Sequence, residues 1–227
     1  MTQIWERAIR CAQEIERKFR NTGELVEQTY DERLGLTDLV FHSLAYRRAH
    51  ISIVDARESK KIWMLHVTVF PHYNDNSPIY GFDIVAGADK VSGAFHDFSS
   101  GGDKDHDMMR WFANFVAGMD WNKRRDLPEW AQRIFSNHIV AIGSVGVQEL
   151  DEFIHIGLTS LNFYLDHVGH TQQDIANYAM TQNSYCYHQK QNPHTPRVLV
   201  NLGFSEKEAR DFVHNNLFPE TDVSAIA

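Results

Sequence analysis

Only two cysteines occur in the chain, Cys11 and Cys186, far apart and without a CxxC pair. That scarcity argues against a disulfide framework, a structural zinc or an iron–sulfur cluster. No run of eighteen apolar residues is present, and the opening MTQIWERAIRCAQEIERKFR is charged and helical, unlike a secretion signal. The expectation is a soluble, cytoplasmic protein with no membrane partner. Basic residues are the minority, 22 Lys and Arg against 30 Asp and Glu, and the formal charge of -8 disfavours non-specific contact with nucleic acid. Nucleotide fingerprints are missing as well. GSVGV, with Gly143 and Gly146, is not GxGxxG and has no βαβ context. DKDHD, with Asp103, Asp105 and Asp107, begins like a calcium loop but lacks the later glycine and glutamate.

What the chain does have is an ordinary globular balance, 43% hydrophobic and 23% charged over 227 residues. A chain of this length can bury roughly 70% of its unfolded surface, and without repeats or linkers it reads as a single domain over residues 1–227. Apolar residues at Trp5, Ala8, Ile9, Ala12, Ile15 and Phe19 predict a helix from Thr2 to about Arg20. From about Val40 to Phe98 the period changes to two. HISIVDA and IWMLHVTVF flank the charged turn RESKK as one hairpin; IYGFDIVAG and VSGAFHDFS form a second. Helical pieces follow at MMRWFANFVAGM and PEWAQRIF, then a short strand at HIVAIG. Longer helices are predicted from Val147 to about Val168 and from about Gln172 to Gln191, halting before Pro193. A last one begins at Ser205, where SEKE is a capping box. Strands in the middle with helices on either side predict a three-layer α/β/α sandwich around a largely antiparallel sheet.

Two residues interrupt this pattern. Asp83 sits between Phe82 and Ile84 in an otherwise apolar strand. On a central strand it would be a desolvated carboxyl and a proton donor; the plainer alternative is a half-buried aspartate satisfied by an amide or an arginine. His66 interrupts WMLHVTVF in the same way. Trp63, Leu65, Val67 and Val69 share a core face, while Met64, His66, Thr68 and Phe70 form a mixed face suited to a pocket wall. A structural histidine is the alternative there. His50, one strand earlier, joins that face only if the connection holds an odd number of residues. Two histidines and an aspartate on one face suit proton transfer better than metal binding, because no ligand spacing such as HExxH occurs. Basic residues gather at Lys60 and Lys61, at Lys123 to Arg125 and at Arg197, as a solvated face or as a dock for an acidic partner.

The segments PIYGFDIVAGADKVSGAFHDFS and YCYHQKQNPHTPRVLVNLG, with the later LFPE, resemble the ferredoxin-dependent bilin reductases from about Asp38 onward. Within that family the likeness is to the phycocyanobilin-forming branch and its phage-associated relatives. The resemblance implies an α/β/α sandwich without a metal or organic cofactor, monomeric, taking single electrons from reduced ferredoxin to reduce biliverdin IXα. It places Asp83 on the family's central catalytic aspartate and His66 on a histidine bonded to the bilin lactam. His50 matches a second pocket histidine, and Ser92 and Arg125, in RDLP, match positions that hold the propionates.

Two departures from the family pattern bear on the product. The phycocyanobilin-forming enzymes carry a glutamate two residues after the first histidine, where this chain has Ser52, unless the turn is placed so that Val54 or Asp55 comes near. In the C-terminal motif Asn192 is kept, Pro193 replaces an aspartate, and His194 stands where a propionate-binding lysine is expected. Loss of the vinyl-reducing glutamate implies phycoerythrobilin as the four-electron product. The alternatives are phycocyanobilin and a non-catalytic bilin-binding protein.

Overall fold

The apolar stripe of the first helix is buried as its spacing requires. In the computed structural model, which describes residues 2–173 and 177–223, α1 spans Gln3–Thr22 and buries Trp5, Ala8, Ala12, Ile15 and Phe19. The Thr2 hydroxyl caps it by accepting the Trp5 N–H. The chain then forms a seven-stranded antiparallel sheet in sequence order. Its strands are β1 (Glu24–Asp31), β2 (Leu36–His42), β3 (Tyr46–Ala56), β4 (Ile62–Pro71), β5 (Ile79–Gly87), β6 (Val91–Ser99) and β7 (Val140–Ile142). A one-turn helix, α2 (Arg57–Lys60), makes the β3–β4 connection. Between β6 and β7 lie α3 (Asp107–Val116) and α4 (Glu129–Gln132). After β7 come α5 (Val147–His167), α6 (Ala179–Gln189), α7 (His194–Leu202) and α8 (Glu206–Phe212), the last running into a π-helical turn over Val213–Leu217.

The period of two divides the sheet into two buried faces. Trp63, Leu65, Val67, Val69, Phe82 and Ile84 face one core with α1, α3 and α5. Met64, Phe70 and Ile79 face another with Tyr185, Leu199, Phe212 and Phe218 from the C-terminal helices. The three layers predicted from the sequence are therefore present. On the first side Gly157 of α5 lies so close to Phe82 that a Cβ there would sit 2.1 Å from its ring. This contact lets Phe153 stack on Phe82 at 4.9 Å between centroids.

Several elements depart from the sequence expectation. β1 and the first part of β2 were not anticipated, because Glu24, Glu27 and Asp31 give β1 little apolar alternation; it is an edge strand, largely exposed, whose charges discourage further pairing. The helix expected from Gln172 begins instead at Ala179. Gln172 bridges to Asp75, whose carboxylate also accepts from Gly169 N–H and the Thr171 hydroxyl, so this approach is pinned to the β4–β5 loop. Residues 174–176 of that expected helix lie outside the described residues. α7 was missed because Pro193 reads as a stop. It is the N-cap, and Pro196 falls in the first turn, where an absent N–H breaks no helical bond. The Ser205–Glu208 capping box forms as expected.

Candidate active site

Register assembles the site. Ala56 pairs with Ile62, leaving residues 57–61, an odd number, between β3 and β4, so His50 and His66 share a face. Cross-strand pairing lines up Asp38, Ser52, His66, Asp83 and Phe95 as one row from β2 to β6. The neighbouring row on the same face runs Val40, His50, Thr68, Gly81, Asp97. β5 is interior to the sheet, and its burial alternates so that Tyr80, Phe82, Ile84 and Ala86 fill the opposite core. Asp83 is thereby forced onto the mixed face.

His66 Nδ1 and Asp83 Oδ1 share a hydrogen bond of 2.5 Å. The histidine side chain is 17% exposed and the aspartate 33%. Burial of Asp83 is thus partial, less than a central strand implied, because the sheet face opens there. His66 Nε2 is buried and without a partner among the described residues, as are His50 Nδ1 and Thr68 Oγ1. An orphaned buried polar atom is costly, and these three, with Arg48 Nη1 on the same face of β3, give the face the unmet polar groups that a polar ligand could satisfy. His50, fully buried, bonds through Nε2 to Asp38 Oδ1 at 2.7 Å. Burial pulls the His50 imidazole down to about 4, outweighing the pull of Asp38 in the other direction. Asp38 is raised by burial, but its bonds to His50 and Ser52 and the nearby Arg48 charge carry it below the usual carboxylate range.

C-terminal aromatics cover this face. Phe218 packs edge-on against His66 at 5.3 Å. The Tyr185 hydroxyl reaches within 3.6 Å of the position a Gly81 Cβ would take, and it accepts a hydrogen bond from Gln189 Nε2 at 2.8 Å. Burial, with Asp83 and Asp97 nearby, keeps that phenol protonated. Asp97 is buried on the same face and accepts from the Ser99 hydroxyl and from Ser136 N–H and Oγ. Burial is the larger effect and raises its pKa. Asp38, Tyr185, Gln189 and Phe218 are not singled out by the sequence, and Asp97, in FHDF, has no role that the sequence alone assigns. Only register and helix docking bring them together, and only the alternation of Leu36, Asp38 and Val40 could have flagged Asp38.

The remaining expected residues divide into two places. Arg125 lies over the Asp83 face at the β6–β7 edge, with its guanidinium 5.7 Å from the Phe95 ring centroid. It needs glycine beneath it, since a Cβ at Gly93 or Gly143 would come within 3.0 Å of the guanidinium nitrogens. Ser92 sits nearby at a β-bulge, its hydroxyl donating to Val85 O. Ser52 directly faces His66, whereas Asp55 is ion-paired with Arg57 and paired across the sheet with Trp63. Val54 is one row away, opposite Met64. Asn192 and His194 lie elsewhere. The Asn192 side chain accepts the His194 N–H and donates to the Thr195 hydroxyl, just ahead of α7. It lines, with Lys190, Arg197, Arg210 and His214, a cleft of about 600 Å³ between the C-terminal helices. None of the residues that line this cleft belongs to the polar row.

The family described as ferredoxin-dependent bilin reductase matches residues 6–219. Phycocyanobilin:ferredoxin oxidoreductase of Prochlorococcus marinus is 31% identical over 84% of this chain and 78% of its own. The enzyme of that name from Gloeobacter violaceus is 29% identical over 86% of this chain and 78% of its own. The solved structure of PcyX superposes with a TM-score of 0.70 at 29% identity, covering 95% of this chain and 99% of that one. Tomato phytochromobilin synthase, solved in complex with biliverdin, shares the fold at a TM-score of 0.68 and 15% identity, over 94% of this chain and 82% of its own.

Proposed function

Because the chain belongs to the ferredoxin-dependent bilin reductases, an oxidoreductase family, we propose that it reduces biliverdin IXα by four electrons to phycoerythrobilin. The observation that carries this reading is the 2.5 Å bond between Asp83 and His66 beside an unpartnered His66 Nε2. In this scheme the tetrapyrrole lies on the polar row beneath the C-terminal helices. Arg125 pairs with a propionate, supported by Ser92. The Asp83–His66 pair delivers a proton to the bilin; the positive charge then makes the pigment a better electron acceptor, and ferredoxin adds one electron to give a radical. Four such proton and electron additions complete the product. The chain acts as a monomer without a resident cofactor. Lys123 and Arg124, exposed next to Arg125 in the segment before α4, supply a basic dock for an acidic ferredoxin.

The product assignment rests on Ser52. A hydroxyl facing His66 has no carboxyl proton to give to the D-ring vinyl group, so reduction falls on the A-ring and the C15 bridge. A second reading, phycocyanobilin, is favoured by the names of the curated relatives and by the Asp38 carboxylate paired across from Ser52. Anaerobic turnover of biliverdin IXα with reduced ferredoxin, followed by product chromatography, tests both. Phycoerythrobilin is the expected product. Phycocyanobilin would show that pocket geometry overrides the missing glutamate, and tight binding with no turnover would leave a bilin carrier.

A further inference from the structure

Beside the Asp83–His66 pair, the sheet holds a second carboxylate–imidazole pair more deeply buried than the first. His50 is 0% exposed and Asp38 3%. Their register fixes the contact, because Asp38 pairs with Ser52 and His50 with Val40, diagonal neighbours on one face. An ionised carboxylate can only accept, so a hydrogen bond at 2.7 Å to Asp38 Oδ1 requires the proton on His50 Nε2. His50 Nδ1 is then a bare lone pair. It is buried and finds no donor among the described residues. The His66 ring stands 6.0 Å away centroid to centroid, and Thr68 lies directly opposite His50 on β4. Arg48 Nη2 donates to Asn216 O on the C-terminal π-helical turn, and its buried Nη1 makes no bond to His50.

We propose that Asp38 is a positioning residue, which holds His50 in the Nε2–H tautomer so that Nδ1 presents a fixed, buried acceptor to an N–H donor on the substrate. The pyrrole N–H groups of a protonated linear tetrapyrrole are donors of that kind, so the assignment rests on the proposed function. The logic is that of any imidazole oriented by a buried carboxylate: the partner sets which nitrogen carries the proton, and so which nitrogen faces the reaction. Ser52 stands directly across from Asp38 in the strand register, beside the pair.

The test begins without substrate. Two-bond ¹H–¹⁵N correlation spectra of the histidines in the whole chain should place the His50 proton on Nε2. A proton on Nδ1 in the native protein would overturn the proposal. Asp38→Asn keeps the shape and removes the charge; it should lose the fixed tautomer and bind biliverdin IXα about 10- to 100-fold more weakly, while near-ultraviolet circular dichroism stays native. Restoration of tautomer and affinity by Asp38→Glu supports the assignment. An Asp38→Asn protein with unaltered tautomer and affinity contradicts it, and should that variant not fold, the native tautomer decides alone. Absence of any biliverdin turnover by the native chain would sink the proposed function but leave the tautomer result readable.

Discussion

Asp83 and His66 sit opposite one another because β4 and β5 pair antiparallel in a register that also faces Thr68 with Gly81. Replacing Asp83 by Asn keeps size and a hydrogen-bonding oxygen but removes the transferable proton. Turnover should fall about 10²- to 10⁴-fold, the usual contribution of general acid catalysis, with biliverdin still bound; steady-state rates beside absorbance titration separate the two effects. Arg125 is exposed, so its contribution is smaller. Arg125→Gln should raise the dissociation constant for biliverdin about fivefold at low salt, with the difference shrinking as ionic strength rises. Titration at two salt concentrations checks this, and an effect independent of salt would speak against a propionate contact. The sequence alone made Asp83 and His66 visible as polar interruptions of apolar strands. Asp38 stayed hidden because its meaning depends on a partner twelve residues away, and Tyr185 because a tyrosine in a helix carries no sign of the strand glycine it will cover.

The strands and helices differ in how openly their sequences declare them. The β3–β4 turn was legible, since RESKK is a charged break between two alternating runs and its odd length fixes which side chains share a face, although β3 begins at Tyr46, four residues before HISIVDA. α7 was not, because a proline at a helix start and a proline at a helix stop look alike locally. Helix α5 shows a constraint that propensity would misjudge. Gly157→Ala should gain about 1 kcal/mol from helix propensity alone, yet the added methyl would stand 2.1 Å from the buried Phe82 ring. Overpacking costs about 1–3 kcal/mol and should win, lowering the thermal midpoint and loosening the strand that carries Asp83. A raised midpoint would mean that α5 can shift away from the sheet at no cost.

Across the whole molecule His50 and His96, two fully buried histidines on opposite faces of the sheet, act in the same direction. Burial lowers both His50 and His96 from the ordinary 6.5 to about 4, the latter ring donating its Nδ1–H to Gly81 O within an aromatic cage. Between those values the unfolded chain binds protons that the folded chain refuses, so stability must fall as pH drops from 7 toward 5. Asp38, depressed in the fold, adds to the loss only at still lower pH; Asp97, raised by burial, works against it near the carboxylate range. The urea midpoint should therefore be lower at pH 5 than at pH 7, and an unchanged or higher midpoint would mean that these histidines are not held neutral. Whether the Asp83–His66 pair supplies the protons that make a bound bilin reducible is decided by one comparison. The native chain and Asp83→Asn, each loaded with biliverdin IXα, are mixed anaerobically with reduced ferredoxin while the bilin absorbance is followed. The account predicts rapid bleaching and product formation by the native chain, and a bound but nearly inert pigment in the variant. Equal rates in the two proteins would contradict it.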